Sequence, residues 1–243
     1  MDKGILYIAS KKVIEEAERS AINARDKMDG ISISVITDAE GFDKSHFYDV
    51  TIKNGMYNDW RAKPNNIVET PYDHTIYLDS DTFVTGDIRP VFELLSEFDI
   101  SIAQEPMGKT RDIDDIPDSF PEFNSGVMVF RNNPKVMELF EKWNSIYQDR
   151  KERMDQPALR EALFKTNIEM TVLPPEYNCR WSVAGIVSDE VKIYHGRLID
   201  LDFPLKGIET ETDISTAIKK IGDQDGIRVF ISKSGNLECI VRR

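Results

Sequence analysis

The stretch Thr75-Ile76-Tyr77-Leu78-Asp79-Ser80-Asp81-Thr82-Phe83-Val84 places two carboxylates, those of Asp79 and Asp81, directly after a short apolar run. A run of this length, followed by turn-forming residues, predicts a buried strand. Ligands of open α/β sheets bind where such strands leave the sheet. Side chains at positions i and i+2 of an extended chain face the same side, so both carboxylates can converge on one hard cation such as Mg²⁺ or Mn²⁺.

The acidic pair has three other interpretations. The first is a solvated turn after a strand, which needs no ligand. The second is a phosphatase of the haloacid-dehalogenase type, which these residues partly resemble, but its motif has Thr or Val where this chain has Phe83. The third is a calcium-binding EF-hand loop, which needs an oxygen ligand at that position and a glycine next, where Val84 stands. Neither of the two ligand-binding alternatives fits well, and the solvated turn stays open.

The segments on both sides of this stretch alternate between strand-like and helix-like patterns. Alternation of this kind predicts an α/β fold whose mainly parallel central sheet is flanked by helices. The strand-like runs occupy residues 5–9, 31–36, 75–78, 100–103, 126–130, 170–173 and 191–194.

Three helices have recognisable starts. Ser10 is placed to cap a helix whose apolar face runs from Val13 to Met28. Pro90 opens a short helix, because proline suits the first helical turn. Asn133 caps and Pro134 starts an amphipathic helix that reaches residue 147.

The chain of 243 residues has room for one large domain rather than two. We expect a domain over residues 1–204 and a small C-terminal appendage over residues 205–243, made of a helix near 214–221 and a β-hairpin that turns at 234–236. The connection from Pro106 to Phe123 is a long acidic loop, which is either a solvated excursion or a lid that faces an acceptor.

The formal net charge of −12 argues against nucleic acid as a partner, because the acidic field repels a phosphate backbone. The same field repels a nucleotide sugar. An enzyme of this charge that binds a diphosphate therefore needs a divalent cation and a few locally placed basic side chains.

The two cysteines, Cys179 and Cys239, lie far apart and form neither a disulfide framework nor a zinc motif. The apolar run at the N-terminus is too short for a signal-peptide core, and no stretch is long and apolar enough to cross a bilayer. From these features we predict a cytoplasmic protein without a transmembrane segment.

Several motifs accompany the acidic pair in a fixed order. They are Tyr77-Leu78-Asp79-Ser80-Asp81-Thr82, Phe123-Asn124-Ser125-Gly126-Val127-Met128-Val129, Asp155-Gln156-Pro157-Ala158-Leu159, Tyr177-Asn178 and His195-Gly196. In this order they resemble glycosyltransferase family 8 and its glycogenin-like relatives, over roughly residues 4 to 200. The resemblance implies the Rossmann-like glycosyltransferase fold of the A type.

The resemblance also assigns roles to residues. It implies that Asp79, Asp81 and His195 coordinate Mn²⁺, or Mg²⁺ in its place, next to the phosphates of the donor. Asn124 and Ser125 match residues that contact the donor sugar, and Gly126 lets the backbone approach closely. The alternative for these three residues is a turn into a strand.

Asp155 and Gln156 match the family pair beside the reacting sugar, and we predict them as the catalytic residues. Asp155 also has the appearance of a helix N-cap. The remaining predicted donor-binding residues lie at the first strand, before the acidic strand, within the acidic motif and after the histidine: Tyr7, Ala9, Ser10, Arg61, Lys63, Ser80, Gly196 and Arg197.

Two departures from the family pattern affect the donor site. The family often has an aspartate after the first strand that helps to hold uridine, where this chain has Ser10-Lys11-Lys12. The family also carries a lysine and a Pro-Trp pair after its histidine, where this chain has Arg197-Leu198-Ile199-Asp200. Arg197, Arg61 and Lys63 are the candidates that supply the positive charge for the diphosphate.

The resemblance predicts a metal-dependent glycosyltransferase that moves a sugar from a UDP sugar to a hydroxyl of an unidentified glycan, lipid or protein, with retention of anomeric configuration. Two alternatives come from other classes. One is a phosphatase or nucleotide-sugar hydrolase that uses Asp79 and Asp81, and the other is a non-catalytic nucleotide-sugar-binding protein.

Overall fold

The computed structural model of the chain describes residues 2–150, 153–180, 187 and 189–196. The predicted appendage at 205–243 and the predicted phosphate contact Arg197 lie outside the described residues.

Ten strands and four α-helices make up the regular part of the described chain. The strands are β1 (Lys3–Ile8), β2 (Ser32–Thr37), β3 (Asp49–Ile52), β4 (His74–Leu78), β5 (Thr82–Val84), β6 (Ile100–Gln104), β7 (Phe123–Arg131), β8 (Met170–Leu173), β9 (Cys179–Arg180) and β10 (Ile193–His195). The helices are α1 (Ile14–Lys27), α2 (Ala62–Asn66), α3 (Pro134–Arg150) and α4 (Gln156–Lys165). Short 3₁₀ helices occupy Lys44–His46, Ile67–Glu69, Arg89–Ser96 and Pro175–Tyr177.

Seven of the strands form the central sheet, in the order β3-β2-β1-β4-β7-β6-β8. The predicted mainly parallel sheet is confirmed, because β7 alone among these strands runs antiparallel to both of its neighbours. β7 lies between β4 and β6, which brings the Asn124-Ser125-Gly126 segment next to the end of the acidic strand β4.

Strand β1 shows why the central strands read as continuous apolar runs. Ile5 and Tyr7 point into a core layer that contains the alanines of α1, whereas Leu6 and Ile8 point into a second layer that contains the apolar faces of α3 and α4. Successive side chains alternate between the faces of the sheet, and both faces of this sheet are covered by helices.

A second, smaller sheet has the order β5-β10-β9. In its register His195 of β10 pairs with Thr82 of β5 on one side and with Arg180 of β9 on the other. The short strand β5 directly follows the acidic pair, so this sheet carries His195 back to Asp79 and Asp81 from more than a hundred residues away. The sequence pattern did not predict β5 or β9, because two or three residues are too few to show a period.

The helix starts agree in part with the sequence prediction. Asn133 caps α3 as predicted, since its Oδ1 accepts a hydrogen bond from the backbone N–H of Val136 at 3.0 Å. The prediction that Ser10 caps α1 is wrong. A turn intervenes, in which the backbone N–H of Val13 donates to the carbonyl of Ser10 at 2.9 Å, and α1 begins only at Ile14 without a side-chain cap.

The acidic loop after β6 is fixed to α4 by one buried arginine. Arg160 is fully buried and donates from Nε to the carbonyl of Phe120 at 2.9 Å and from Nη2 to the carbonyl of Pro117 at 3.0 Å. Lys109 bridges Asp112 and Asp118 at the outer surface of the loop, at 2.5 Å each. The loop is therefore a folded segment that is anchored to the helix carrying Gln156.

Across the residues that the structure describes, no helix combines the length and the apolar character that crossing a bilayer requires.

The cap at Asn133 yields a stability prediction. Asn133→Ala removes the hydrogen bond to Val136 and a second one from Nδ2 to Asp99 Oδ1 at 2.8 Å, so we expect the free energy of unfolding to fall by about 1–2 kcal/mol. Chemical denaturation measures the change. The exposed neighbour Asn132 provides the control, and Asn132→Ala should change stability by less than about 0.5 kcal/mol. Equal losses in the two variants would contradict the assignment of the cap.

Candidate functional site

A cavity of about 770 Å³ opens at the end of β4, where the acidic strand leaves the central sheet. Most residues predicted from the sequence to bind donor or metal line this cavity. They are Ser10, Lys63, Asp79, Ser80, Asp81, Asn124, Ser125, Gly126, Asp155, Gln156 and His195.

The cavity also collects Asp79, Asp81 and His195 into one cluster. One candidate ligand atom from each of the three residues lies within 4.8 Å of those from the other two. His195 Nε2 lies 3.4 Å from Asp81 Oδ1 and 3.7 Å from Asp79 Oδ2. Two carboxylates and an imidazole nitrogen at these distances form a set of ligands suited to a divalent cation.

The position of the His195 ring requires a glycine at residue 126. A Cβ on Gly126 would lie 2.0 Å from Cε1 of His195 and 2.7 Å from each ring nitrogen. The Cε1 side of the His195 ring therefore lies directly against the backbone of Gly126, and a side chain larger than hydrogen would displace the ring. The sequence had linked Gly126 to a close approach of the donor, whereas the structure shows a close approach of a side chain of the same protein.

Lys63 is the central cation of the site and is buried. Its Nζ lies 2.8 Å from Asp79 Oδ1, donates to Ser125 Oγ at 2.8 Å, and lies 3.8 Å from Asp155 Oδ2. Burial by itself lowers the pKa of Lys63, but the charges of Asp79 and Asp155 outweigh it and leave the pKa above its ordinary value. Lys63 is therefore a fixed positive charge between the metal-ligand cluster and Asp155.

Asp155 occupies the N-cap position of α4, but its side chain makes no cap hydrogen bond. The predicted helix start at Asp155 is confirmed, but its carboxylate does not bond to the helix end. Its Oδ2 accepts a hydrogen bond from Ser125 Oγ at 3.0 Å, and its backbone carbonyl accepts one from Trp143 Nε1 at 3.0 Å. Burial raises the pKa of Asp155, and the nearby positive charge of Lys63 opposes that rise.

Tyr7 does not line the cavity. Its hydroxyl bonds to Ser20 Oγ at 2.9 Å, Ser20 Oγ bonds to Thr82 Oγ1 at 2.9 Å, and Thr82 Oγ1 donates to the carbonyl of Asp79 at 2.8 Å. The structure thus places Tyr7 beneath the turn that carries the acidic pair, where it supports that turn.

Three other residues predicted from the sequence lie outside the cavity lining. Ala9 is fully buried. Arg61 is exposed, pairs with Asp59 at 2.5 Å, and stacks on Tyr57 at 4.3 Å. Gly196 supports the metal-ligand cluster through its backbone, because its N–H donates to the carbonyl of Asp81 at 3.0 Å.

Two residues that contact the predicted site residues, Tyr77 and Glu105, were not predicted from the sequence. Tyr77 donates from its hydroxyl to Asp79 Oδ1 at 2.7 Å, and burial together with the charge of Asp79 raises the pKa of Tyr77 well above its ordinary value. Glu105 is buried and accepts hydrogen bonds on Oε2 from Asn124 Nδ2 and Gln156 Nε2, both at 2.7 Å. Its place directly after β6, at the same sheet edge as Asp79, is the signal that could have indicated it.

The model of one protein family matches residues 65–196, which is more than half of the chain and contains every residue of the metal-ligand cluster. That family is described as nucleotide-diphospho-sugar transferase. The chain belongs to this transferase family. None of the curated protein sequences compared with the chain matches it.

Solved structures of glycosyltransferases share the fold of this family member. The glycosyltransferase GlyE of Streptococcus pneumoniae TIGR4 superposes with a TM-score of 0.58 at 20% identity, over 75% of this chain and 47% of the GlyE chain. The galactosyltransferase LgtC, in complex with donor and acceptor sugar analogs, gives 0.58 at 15% identity, over 89% and 95%. Mouse xyloside xylosyltransferase 1 gives 0.54 at 17% identity, over 84% and 100%.

The likeness to these structures confirms the predicted A-type glycosyltransferase fold. The chain spans about half the length of the GlyE chains that it matches, 47% of one and 54% of the other.

The contact between Gly126 and His195 generates a prediction for a double-mutant cycle. Gly126→Ala should lower the free energy of unfolding by about 1–3 kcal/mol, because the new methyl group overlaps the imidazole. In a His195→Ala background the ring is absent, so the same substitution should cost at least about 1 kcal/mol less. Chemical denaturation of the four proteins measures both costs. The same cost in both backgrounds would contradict the packing described here.

Proposed function

We propose that the chain is a metal-dependent glycosyltransferase that moves a sugar from a UDP sugar to a hydroxyl group of an acceptor. The observation that carries the proposal is the convergence of Asp79, Asp81 and His195 within 4.8 Å, at the sheet edge of a nucleotide-diphospho-sugar transferase. LgtC, a galactosyltransferase solved with donor and acceptor sugar analogs, supports the use of a sugar donor and a separate sugar acceptor.

The chemistry of the cluster fits a divalent cation. His195 Nδ1 lies 2.8 Å from Asn178 Oδ1, and an imidazole that donates from Nδ1 presents a lone pair at Nε2. That lone pair faces carboxylate oxygens of Asp79 and Asp81, so three electron-rich atoms meet, and Lys63 Nζ donates to one of them, Asp79 Oδ2, at 3.0 Å. Mn²⁺ or Mg²⁺ held by these three residues would remove the repulsion and, when bound, would stabilise the charge of the departing diphosphate.

Lys63 supports this assignment through its fixed charge. The lysine is buried between Asp79 and Asp155 and retains its proton, so it supplies positive potential beside the acidic pair. Such a cation partly offsets the negative field that a chain of net charge −12 presents to a diphosphate. Arg61 has no comparable place, because its guanidinium lies outside the cavity lining.

The donor sugar in this proposal lies against Asn124, Asp155 and Gln156, which stand together on the cavity wall. Asp155 or Gln156 faces the anomeric carbon and steadies its positive character as the bond to the diphosphate breaks. The acceptor hydroxyl attacks from the side of the leaving group, which retains the anomeric configuration and needs no base on the opposite face. These roles, and membership of glycosyltransferase family 8, follow from the sequence resemblance.

The base of the donor belongs, in this proposal, near the end of β1, where Ile8, Ser10, Lys12 and Val13 line the cavity. Uridine follows from the family resemblance, and Lys12 stands near the aspartate position of the family. The acceptor stays an unidentified glycan, lipid or protein, and the predicted cytoplasmic location stays a prediction.

Removal of the metal tests the proposal most simply. With Mn²⁺ and a UDP sugar that the protein accepts as a donor, the protein should release UDP and transfer the sugar. A chelator should abolish the release of UDP and the transfer of the sugar. Asp79→Asn and Asp81→Asn should each lower the turnover number by about 100-fold, because each replaces an anionic metal ligand with a neutral amide of similar shape. The exposed carboxylate of Asp87, which pairs with Arg89, provides the control, and Asp87→Asn should retain full turnover.

The alternatives have different signatures in the same assay. Phosphate released from a monoester, with no nucleotide sugar consumed, would favour a phosphatase. Binding of nucleotide sugar that depends on Asp79 and Asp81, without turnover of any donor and acceptor pair, would favour the non-catalytic protein. The family match favours neither alternative.

The identity of the base gives a separate prediction. Thermal melting with Mn²⁺ should show a larger rise of Tm with UDP than with GDP or ADP at equal concentration, since the more tightly bound ligand stabilises the folded state more. Without the metal, the rise with UDP should largely vanish. A larger rise with GDP or ADP would exclude uridine as the preferred base.

A further inference from the structure

We propose that Asn178 is a positioning residue that holds His195 in the tautomer able to bind a metal ion, and that Asn124 and Glu105 fix the orientation of Asn178. The observation is a continuous hydrogen-bonded chain of four buried side chains, in the order His195, Asn178, Asn124 and Glu105. The Tyr177-Asn178 motif was part of the family resemblance, but no role was assigned to it.

The orientation of the Asn124 amide is fixed by two hydrogen-bond partners, one of which donates and one of which accepts. The backbone N–H of Gly126 can only donate, and it bonds to Asn124 Oδ1 at 3.0 Å. Glu105 Oε2 accepts from Asn124 Nδ2 at 2.7 Å, and the same oxygen faces the guanidinium of Arg180, which can only donate, at 3.5 Å. The amide of Asn124 therefore cannot be reversed without losing both bonds.

The orientation of Asn124 determines the orientation of Asn178 and, through it, the tautomer of His195. Because Asn124 presents its oxygen, Asn178 must donate to it from Nδ2, at 3.0 Å. The oxygen of Asn178 then faces His195 Nδ1 at 2.8 Å, so the imidazole carries its proton on Nδ1. Nε2 is left with its lone pair toward Asp79 and Asp81. In water a neutral imidazole favours the opposite tautomer, with the proton on Nε2.

The same chain reaches the sugar side of the cavity. Glu105 Oε2 also accepts from Gln156 Nε2 at 2.7 Å, so one carboxylate orients the amides of Asn124 and Gln156. The metal-ligand cluster and the wall of the cavity that carries Gln156 are thus joined by hydrogen bonds through side chains. The role of this arrangement in metal binding rests on the proposed metal-dependent function. The tautomer of His195 follows from the hydrogen bonds and does not depend on that function.

Nitrogen NMR of metal-free protein labelled with ¹⁵N-histidine tests the inference directly. The chain has three histidines, so single substitutions of His46 and His74 assign the signals. At a pH where the rings are neutral, His195 should show a protonated Nδ1 and an unprotonated Nε2. His46, which directs Nε2 toward Asp43 at 3.3 Å, is an internal reference for the opposite tautomer. A wild-type His195 that carries its proton on Nε2 would overturn the proposal.

Two substitutions separate positioning from packing. Asn178→Leu removes both hydrogen bonds at similar volume, so the Nδ1 tautomer should be lost and the Kd for Mn²⁺ should rise about 10–100-fold. Asn178→Asp keeps the acceptor for Nδ1, so the tautomer should persist and the Kd should stay within a few-fold of the wild-type value. Asn133→Ala, which destabilises the fold away from the cavity, should change neither property.

Mn²⁺ binding is measured from the signal of the free ion by electron paramagnetic resonance, without donor or turnover. Wild-type affinity in Asn178→Leu would overturn the proposal. If the wild-type protein shows the Nδ1 tautomer but does not bind Mn²⁺, the positioning role is supported and the proposed metal dependence fails. The two claims therefore fail separately.

Discussion

The site depends on the mutual repulsion of three electron-rich groups that the fold holds together. The carboxylates of Asp79 and Asp81 and the Nε2 lone pair of His195 would repel one another in a flexible chain, but the fold holds Nε2 at 3.4 Å from Asp81 Oδ1 and 3.7 Å from Asp79 Oδ2. The structure opposes this repulsion in two ways. Strands β4 and β5 fix the two ends of the acidic turn and β10 fixes the histidine, and Lys63 pairs with Asp79. A bound cation would convert the repulsion into attraction, and ligands that the fold already holds in place favour its binding.

Around this cluster the fold supplies partners with fixed roles. Lys63 and Tyr77 hold the carboxylate of Asp79 from one side. Gly126 has no side chain and so leaves room for the ring of His195, and Asn178 faces Nδ1 of that ring. Partners of this kind orient metal ligands and tune the affinity for the metal. We infer that these buried polar residues serve the metal-ligand cluster rather than the stability of the core.

The central elements and the cluster could be predicted from the sequence, for physical reasons. The predicted strands 5–9, 75–78 and 126–130 are apolar on both faces, and Asn133-Pro134 is a strong helix start, so local patterns identified them. Asp79 and Asp81 directly follow a buried strand, at the edge where open α/β sheets bind their ligands. Lys63 is a predicted phosphate contact, but its burial between Asp79 and Asp155 results from contacts between segments that are distant in the sequence. The hydrogen bonds of Glu105 to Asn124 and Gln156 likewise join distant segments, so the sequence pattern alone does not show them. Arg61 and Lys63 stand two residues apart in the sequence, but only Lys63 reaches the cavity, because residues 61–63 begin α2 and place the two side chains in different directions.

Anomalous diffraction from crystals grown with Mn²⁺ and UDP shows whether the acidic pair and His195 hold a metal ion beside the diphosphate. We expect a manganese peak bounded by Asp79, Asp81 and His195 Nε2, with the diphosphate completing its coordination. A peak elsewhere, or a bound UDP whose phosphates contact the protein while these three side chains hold no metal, would contradict the proposed metal site.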